Sequence, residues 1–257
     1  MRESKLLALW QAVITALAVL AGSVAVPILC RPFYYAHIGA LHLEEWGLTR
    51  EEIRQAYDQM LDFCLGLRPD FSAGVLRFSD EGASHFADVG VLFRLDLRVL
   101  AVSLAALGVT FILCRWKKVK PHCFRGHGPG FWAAVGLGVT FLTVGGLAAL
   151  DFDRAFALFH ALFFPGKTNW LFDWRTDPII LFMPEEFFRN CALLILILLL
   201  LWCGVLIAAD LAAGRYRRVH GGDSGTKSVE KTRCQACFPL TTDTKDSKKI
   251  NRKREKG

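Results

Sequence analysis

Residues 191–213, CALLILILLLLWCGVLIAADLAA, decide how the chain folds. They are almost wholly apolar, with Asp210 near the end as the sole charge. A run of about 20 such residues, rising about 1.5 Å each as a helix, crosses the hydrocarbon core of a bilayer. Working outward, three more runs read the same way. One is Leu6 to Leu29, after Arg2 and Lys5. Another is Leu95 to Leu113, and the third is the uncharged stretch Phe131 to Leu150. The spans are therefore expected at about 6–29, 95–113, 131–150 and 191–213. The mean hydropathy of +0.33 and 53% apolar content arise from these runs, which excludes an ordinary soluble domain. It also excludes a disordered chain. Eight cysteines in 257 residues are too sparse for a disulfide scaffold.

Charge placement sets the expected orientation. Segment 115–130 holds Arg115, Lys117, Lys118, Lys120 and Arg125 and no acid, and the tail from Gly214 holds 13 basic residues against 5 acids. Segment 31–88 holds 5 basic residues against 10 acids, and segment 151–190 holds 4 against 6. Lysine and arginine are retained on the cytoplasmic side. Both termini and the 115–130 loop should then lie inside, with segments 30–94 and 151–190 outside. The first run also resembles a signal peptide, with Ser23-Val24-Ala25 as a cleavage site and Cys30 as a lipidated cysteine. Bulky Leu29 before Cys30 and the length of the run favour a retained anchor. The fold expected is mainly α and integral to the membrane, with four transmembrane helices. A small extracytoplasmic cap carries an amphipathic helix and one or two short strands over Phe71–Phe78. The membrane domain covers 1–213. The basic tail 214–257 is read as disordered and suited to anionic lipid rather than nucleic acid.

The cap helix is announced by Thr49-Arg50-Glu51-Glu52, a capping box, followed by Ile53, Tyr57, Met60, Leu61 and Cys64 at helical spacing. Arg68-Pro69-Asp70 should end it, and Ser79-Asp80-Glu81-Gly82 reads as a turn. Segment 151–190 is dense in aromatic rings, as an interfacial belt or a lipid-binding recess would be.

Seven histidines are the candidates for acid–base chemistry. His122, His127 and His220 fall on the expected inner side, and His37, His42, His85 and His160 on the outer side. His85 precedes the second span, and Asp88, one helical turn on, is placed to orient its ring. His160 follows the third span in an aromatic run, where desolvation favours neutral imidazole. Arg94, Asp96 and Arg98 sit at the outer end of the second span, where they either function or reach to the interface. Serine-hydrolase, zinc-protease and phosphate-loop motifs are absent. Cys234-x-x-Cys237 is a lone pair, too few ligands for zinc. Cys30 and Cys64, both outward, are a candidate disulfide.

Together these motifs resemble one family. Phe78-Ser79-Asp80-Glu81 leads to His85-x-x-Asp88-Val89. Phe159-His160 is followed by Phe163-Phe164, Trp170, Phe172-Asp173, Asp177-Pro178 and Met183-Pro184-Glu185-x-Phe187-Phe188. In this order and topology, over roughly residues 5–213, they resemble the bacterial lipoprotein intramolecular transacylases. One departure is Gly90, where the family pattern leads one to expect a lysine. The resemblance implies an O-to-N acyltransferase of the bacterial plasma membrane. It would move the sn-2 acyl chain of a diacylglyceryl lipoprotein to the α-amine of the N-terminal cysteine, giving the lyso form. It maps the catalytic pair onto His85 and His160. The residue chemistry fits: both reacting groups belong to one substrate, so no enzyme nucleophile, cofactor or metal is required. His160 is read as base and His85, steadied by Asp88, as proton donor. Arg94, Asn169, Trp170 or a backbone N–H is the expected oxyanion donor. The partners are the lipoprotein and membrane lipid, and no nucleic acid. Two other readings are a metal-dependent hydrolase with His37, His85, His160 and acidic side chains as ligands, and a non-enzymatic sensor or lipid-binding assembly protein.

Overall fold

The computed structural model of the protein describes residues 2–220. In chain order it holds β1 (Arg2–Ser4), α1 (Lys5–Leu29), α2 (Arg31–Ala40), a 3-10 turn (Leu43–Trp46) and α3 (Arg50–Leu65). There follow α4 (Asp80–Lys117), β2 (Val119–Pro121), α5 (Pro129–Leu150), α6 (Phe152–Phe163), α7 (Ile179–Phe182) and α8 (Glu185–His220). Four helices, α1, α4, α5 and α8, are long and apolar enough to cross a membrane. α1 packs against α4, α5 and α8, and α5 packs against α8. Their outward faces carry large apolar side chains in the open, such as Val102, Leu147 and Leu201. That surface suits lipid, where helix packing relies on close contact and polar ties rather than on excluding water. One such tie is the Trp10 indole N–H donating to Thr110 Oγ1 at 3.1 Å. Another is Asp210, buried in α8, whose carboxylate accepts from His127 Nδ1 at 2.7 Å and Gly128 N at 2.9 Å. These bonds offset the cost of holding a carboxylate in an apolar helix.

α4 decides where the site sits. Its 38 residues are about 57 Å long, nearly twice the hydrocarbon thickness, so its first turns stand clear of the apolar stretch that starts at Leu95. Ser79 is the N-cap: its side chain accepts from Gly82 N, and Asp80 and Glu81 lie in the first turn. Ser79-Asp80-Glu81-Gly82 is thus a helix start and not a turn.

Above the spans lies a second core. α2 and α3 stack Tyr34 on Tyr57, ring centroids 3.7 Å apart and nearly parallel, and the Tyr34 hydroxyl donates to the Phe182 carbonyl at 2.8 Å. Ile38, Ile53, Leu61, Phe86, Ile179 and Phe187 fill the same core. Arg31 bridges α2 to α3 through Asp58 and Asp62. The capping box is complete: Thr49 Oγ1 accepts from Glu52 N, and Glu52 accepts from Thr49 N. Gly66 at φ +77°, rather than Pro69, ends α3.

The strands expected at 71–78 reduce to one bridge, Ala73 to Leu76. Gln59 of α3 accepts from Ser72 and from Gly74 N there, so side-chain bonds take the place of a ladder. The two strands form at the opposite end of the spans, where β1 runs parallel to β2. Cys30 and Cys64 are free thiols. Cys64 is buried and its thiol donates to the Phe86 carbonyl at 3.4 Å. α8 runs on through His220, past the boundary expected at Ala213. Most of the tail, with Cys234 and Cys237, lies outside the described residues.

Candidate functional site

The structure brings His85 and His160 together. His85 lies on the second turn of α4 and His160 on the last turn of α6, with ring centroids 5.8 Å apart. Both residues are buried. The cage is aromatic: Phe164 and Phe172 stand edge-on to His85, at 5.1 and 5.5 Å. Trp170 stacks on His160 at 4.4 Å, and Phe156 is at 4.4 Å on the same ring.

The surroundings set the state of each ring. Burial holds His160 below the usual histidine range, against the pull of the Phe156 carbonyl. His85 precedes the apolar stretch of α4 and is held down to about 4. Burial is the main cause and the nearby His160 adds to it, while Asp88 opposes. Near neutral pH both rings are uncharged. His160 Nδ1 lies 2.8 Å from the Phe156 carbonyl, which only accepts, so Nδ1 carries the hydrogen and Nε2 is left with its lone pair. His85 Nδ1 is enclosed and makes no short hydrogen bond; the Asn169 side chain beside the ring favours its charged form but is outweighed by burial.

A loop from Phe164 to Pro178 closes over the pair, and two polar ties fix it. The first is Asp88, whose carboxylate receives Lys167 Nζ at 2.6 Å on both oxygens and Asn169 Nδ2 at 3.2 Å. Asp88 therefore holds the loop and acts on His85 only through space, which corrects the expectation that it steadies the ring directly. The second tie is Asp177, which is almost fully buried. Its Oδ1 accepts from Ser79 N at 2.8 Å, and its Oδ2 accepts from the Ser79 and Thr176 hydroxyls at 2.7 and 2.8 Å. The start of α4, and with it His85, is thereby anchored to the loop that carries Trp170. Sequence reasoning missed Lys167 as a partner and Asp177 as the anchor; Asp177-Pro178 entered it only as part of a motif.

The oxyanion candidates separate. Trp170 gives its indole N–H to the Lys167 carbonyl at 3.2 Å, so it is a stacking partner rather than a free donor. Arg94 reaches from α4 to the Cys64 carbonyl at 2.7 Å and caps the end of α3; it contacts neither imidazole. Asn169 is beside the pair. Its Nδ2 bonds Asp88 and its Oδ1 is enclosed without a partner. Gly90 admits no side chain: a Cβ there would lie 2.8 Å from the Cys64 carbonyl oxygen and 2.8 Å from Arg94 Nη1. The positive charge expected at position 90 is supplied near His85 by Lys167 instead. His37 does not join the pair. Its Nδ1 bonds the Phe33 carbonyl and its ring lies against Phe33 and Phe187. Among the described residues no three histidine, cysteine or acidic side chains gather as metal ligands.

A family model described as lipoprotein intramolecular transacylase Lit matches residues 9–188. Solved structures of the membrane-integral lipoprotein intramolecular transacylase Lit from Bacillus cereus are similar in fold. One is 23% identical with a TM-score of 0.74, over 83% of this chain and 97% of that one. A second, with a histidine replaced by arginine, is 22% identical with a TM-score of 0.69, over 84% and 93%. A third, with a histidine replaced by alanine, is 24% identical with a TM-score of 0.66, over 82% and 94%. No curated protein matches the sequence.

Proposed function

The chain belongs to the lipoprotein intramolecular transacylase family, and on that premise we propose the reaction and its catalysts. It moves the sn-2 fatty acyl chain of a diacylglyceryl lipoprotein to the α-amine of the N-terminal cysteine, in the outer leaflet of the bacterial plasma membrane. Both termini are cytoplasmic in this reading. The amine nitrogen attacks the ester carbonyl carbon, a C–N bond forms, the glyceryl C–O bond breaks, and a lyso-form N-acylated lipoprotein leaves.

The observation that carries the reading is the buried pair His85 and His160, ring centroids 5.8 Å apart. The attacking amine must lose a proton and the departing glyceryl oxygen must gain one, so the count closes with one mobile proton. His160 accepts the amine proton on Nε2, the nitrogen its Phe156 bond leaves basic. His85, uncharged at rest, hands on to the glyceryl oxygen the proton that His160 has taken from the amine, so both rings end the cycle neutral. Mutual repulsion disfavours charging both rings at once, which suits one proton held between two sites. Lys167, whose ammonium keeps a third N–H beyond its two bonds to Asp88, supplies a donor for the charge that develops on the carbonyl oxygen. Holding amine and ester in one molecule lowers the barrier by roughly 7–11 kcal/mol in well-oriented cases.

The test is mass spectrometry of a lipoprotein N-terminal peptide after incubation with the purified protein. The expected product carries one acyl chain on the cysteine nitrogen and one on the glyceryl group, and His160→Gln abolishes it. An unchanged diacylglyceryl peptide with the folded protein, or full conversion by His160→Gln, overturns the proposal.

A further inference from the structure

A cavity of about 600 Å³ opens beside the histidine pair, between the first turns of α4 and the 166–177 loop. Its walls include Ser84, Thr168, Asn169 and Thr176, with Glu81 and Asp173 among its charged groups. This is ample room for a small ligand, since such pockets run from about 300 to 1,000 Å³. Leu171 and Phe172 line the cavity too, so it offers both polar groups and apolar surface, as a peptide needs. The apolar surface for acyl chains is elsewhere, on α6, where Leu158, Phe159, Leu162 and Phe163 are open.

Resting on the transacylase reading, we propose that this cavity is a subsite for the peptide segment that follows the lipidated cysteine. Three features of the cavity support it. First, an extended peptide presents one N–H and one C=O per residue and needs both kinds of partner. Serine and threonine hydroxyls supply both. Second, the cavity meets the catalytic pair through Asn169, which lines it and stands next to His85. The Asn169 side chain interacts with the His85 ring on one side and borders the cavity on the other. A cysteine seated at the pair would send its next residues past it. Third, Asp177 and Ser79 lock the rim in place, so the cavity is preformed rather than opened by the ligand. Glu81 is left to set the sign of its charge, since Lys167 is held by Asp88 and Asp173 by Arg175. The subsite thus favours neutral or basic residues after the cysteine over acidic ones.

The experiment compares two substrates with the full chain in detergent: a diacylglyceryl-cysteinyl pentapeptide with neutral residues, and diacylglyceryl-cysteine amide. Wild-type protein should prefer the pentapeptide in kcat/KM. Thr168→Trp fills the cavity and should cut that preference by about tenfold or more, a change of about 1.4 kcal/mol. The amide reaction reports whether the variant is folded. Equal losses on both substrates, or an undiminished preference, overturn the subsite while leaving the transacylase reading intact. Failure of wild-type protein on both substrates overturns both.

Discussion

Asp177 is the most exposing residue to change, because it joins the loop over the site to the helix that carries His85. It lies far along the chain from Ser79, yet accepts three hydrogen bonds from Ser79 and Thr176 while nearly inaccessible to water. Asp177→Ala leaves the Ser79 N–H enclosed with no acceptor, which costs about 1–3 kcal/mol. The two hydroxyls lose a charged acceptor worth about 1.5–3 kcal/mol each, but can turn toward water in the adjoining cavity. A net loss of about 3–5 kcal/mol follows from the orphaned N–H and the two weakened hydroxyl bonds taken together. Asp177→Asn is milder. One oxygen still receives the Ser79 N–H, and the hydroxyls can reverse to accept from the new amide, so about 1–2 kcal/mol is expected. At about 2–4 °C per kcal/mol, Asp177→Ala lowers Tm by roughly 10 °C and Asp177→Asn by a few degrees. A thermal melt in detergent reads both. Transfer activity should fall in the same order, since a shift of about 1 Å at His85 costs up to about a hundredfold. Equal melting temperatures for Asp177→Ala and wild type, or an asparagine variant as weak as the alanine one, refute this account of the anchor.

Three further expectations follow from the site. In log kcat/KM against pH, the substrate amine alone should give a slope of about one below its pKa near 8. Because burial lowers both imidazole pKa values, the slope should not steepen at the ordinary histidine value of about 6.5; a slope of two already at about pH 6 contradicts neutral rings. Gly90→Ala should lower thermal stability by about 1–3 kcal/mol, since its Cβ meets the Cys64 backbone at 2.8–3.0 Å; an unchanged melt counts against that packing. Trp170→Ala removes the ring stacked on His160, worth about 0.5–1.5 kcal/mol, and should reduce kcat several-fold while Trp170→Phe retains most of it. Equal kcat values for the alanine variant and wild type exclude an orienting role.

The features legible in the sequence are those with a local cause. The spans are visible because a bilayer demands a long apolar run from a single helix, whatever its neighbours. The Thr49 capping box is visible because all its bonds close within four residues. Ser79-Asp80-Glu81-Gly82 reads as a turn in the sequence and is a helix start in the structure, because serine and acids favour both. What decides between them is distant: Asp177 fixes Ser79, and α4 then continues unbroken into the apolar run. The absent strands at 71–78 have a similar cause, since Gln59 satisfies that segment from the side.

The site divides along the same line. His85 and His160 stand out as histidines in an apolar, aromatic setting. Their neighbours do not, because nothing in an Asp88 or a Lys167 announces a partner on another element. The helical spacing of His85 and Asp88 made a direct contact look natural, yet a carboxylate so placed has two options. It can face the ring, or it can face the loop that must be held over the ring. Here the loop brings a lysine and an amide within 3.2 Å of it, and two donors outcompete one neutral imidazole for the same oxygens. That choice leaves His85 without a bond from Asp88, while His160, pinned by its own helix through Phe156, has its basic nitrogen assigned. The asymmetry between the two rings thus comes from where their hydrogen bonds originate. A bond within one helical turn can be read from sequence, whereas a bond missing because a loop intercepted it cannot.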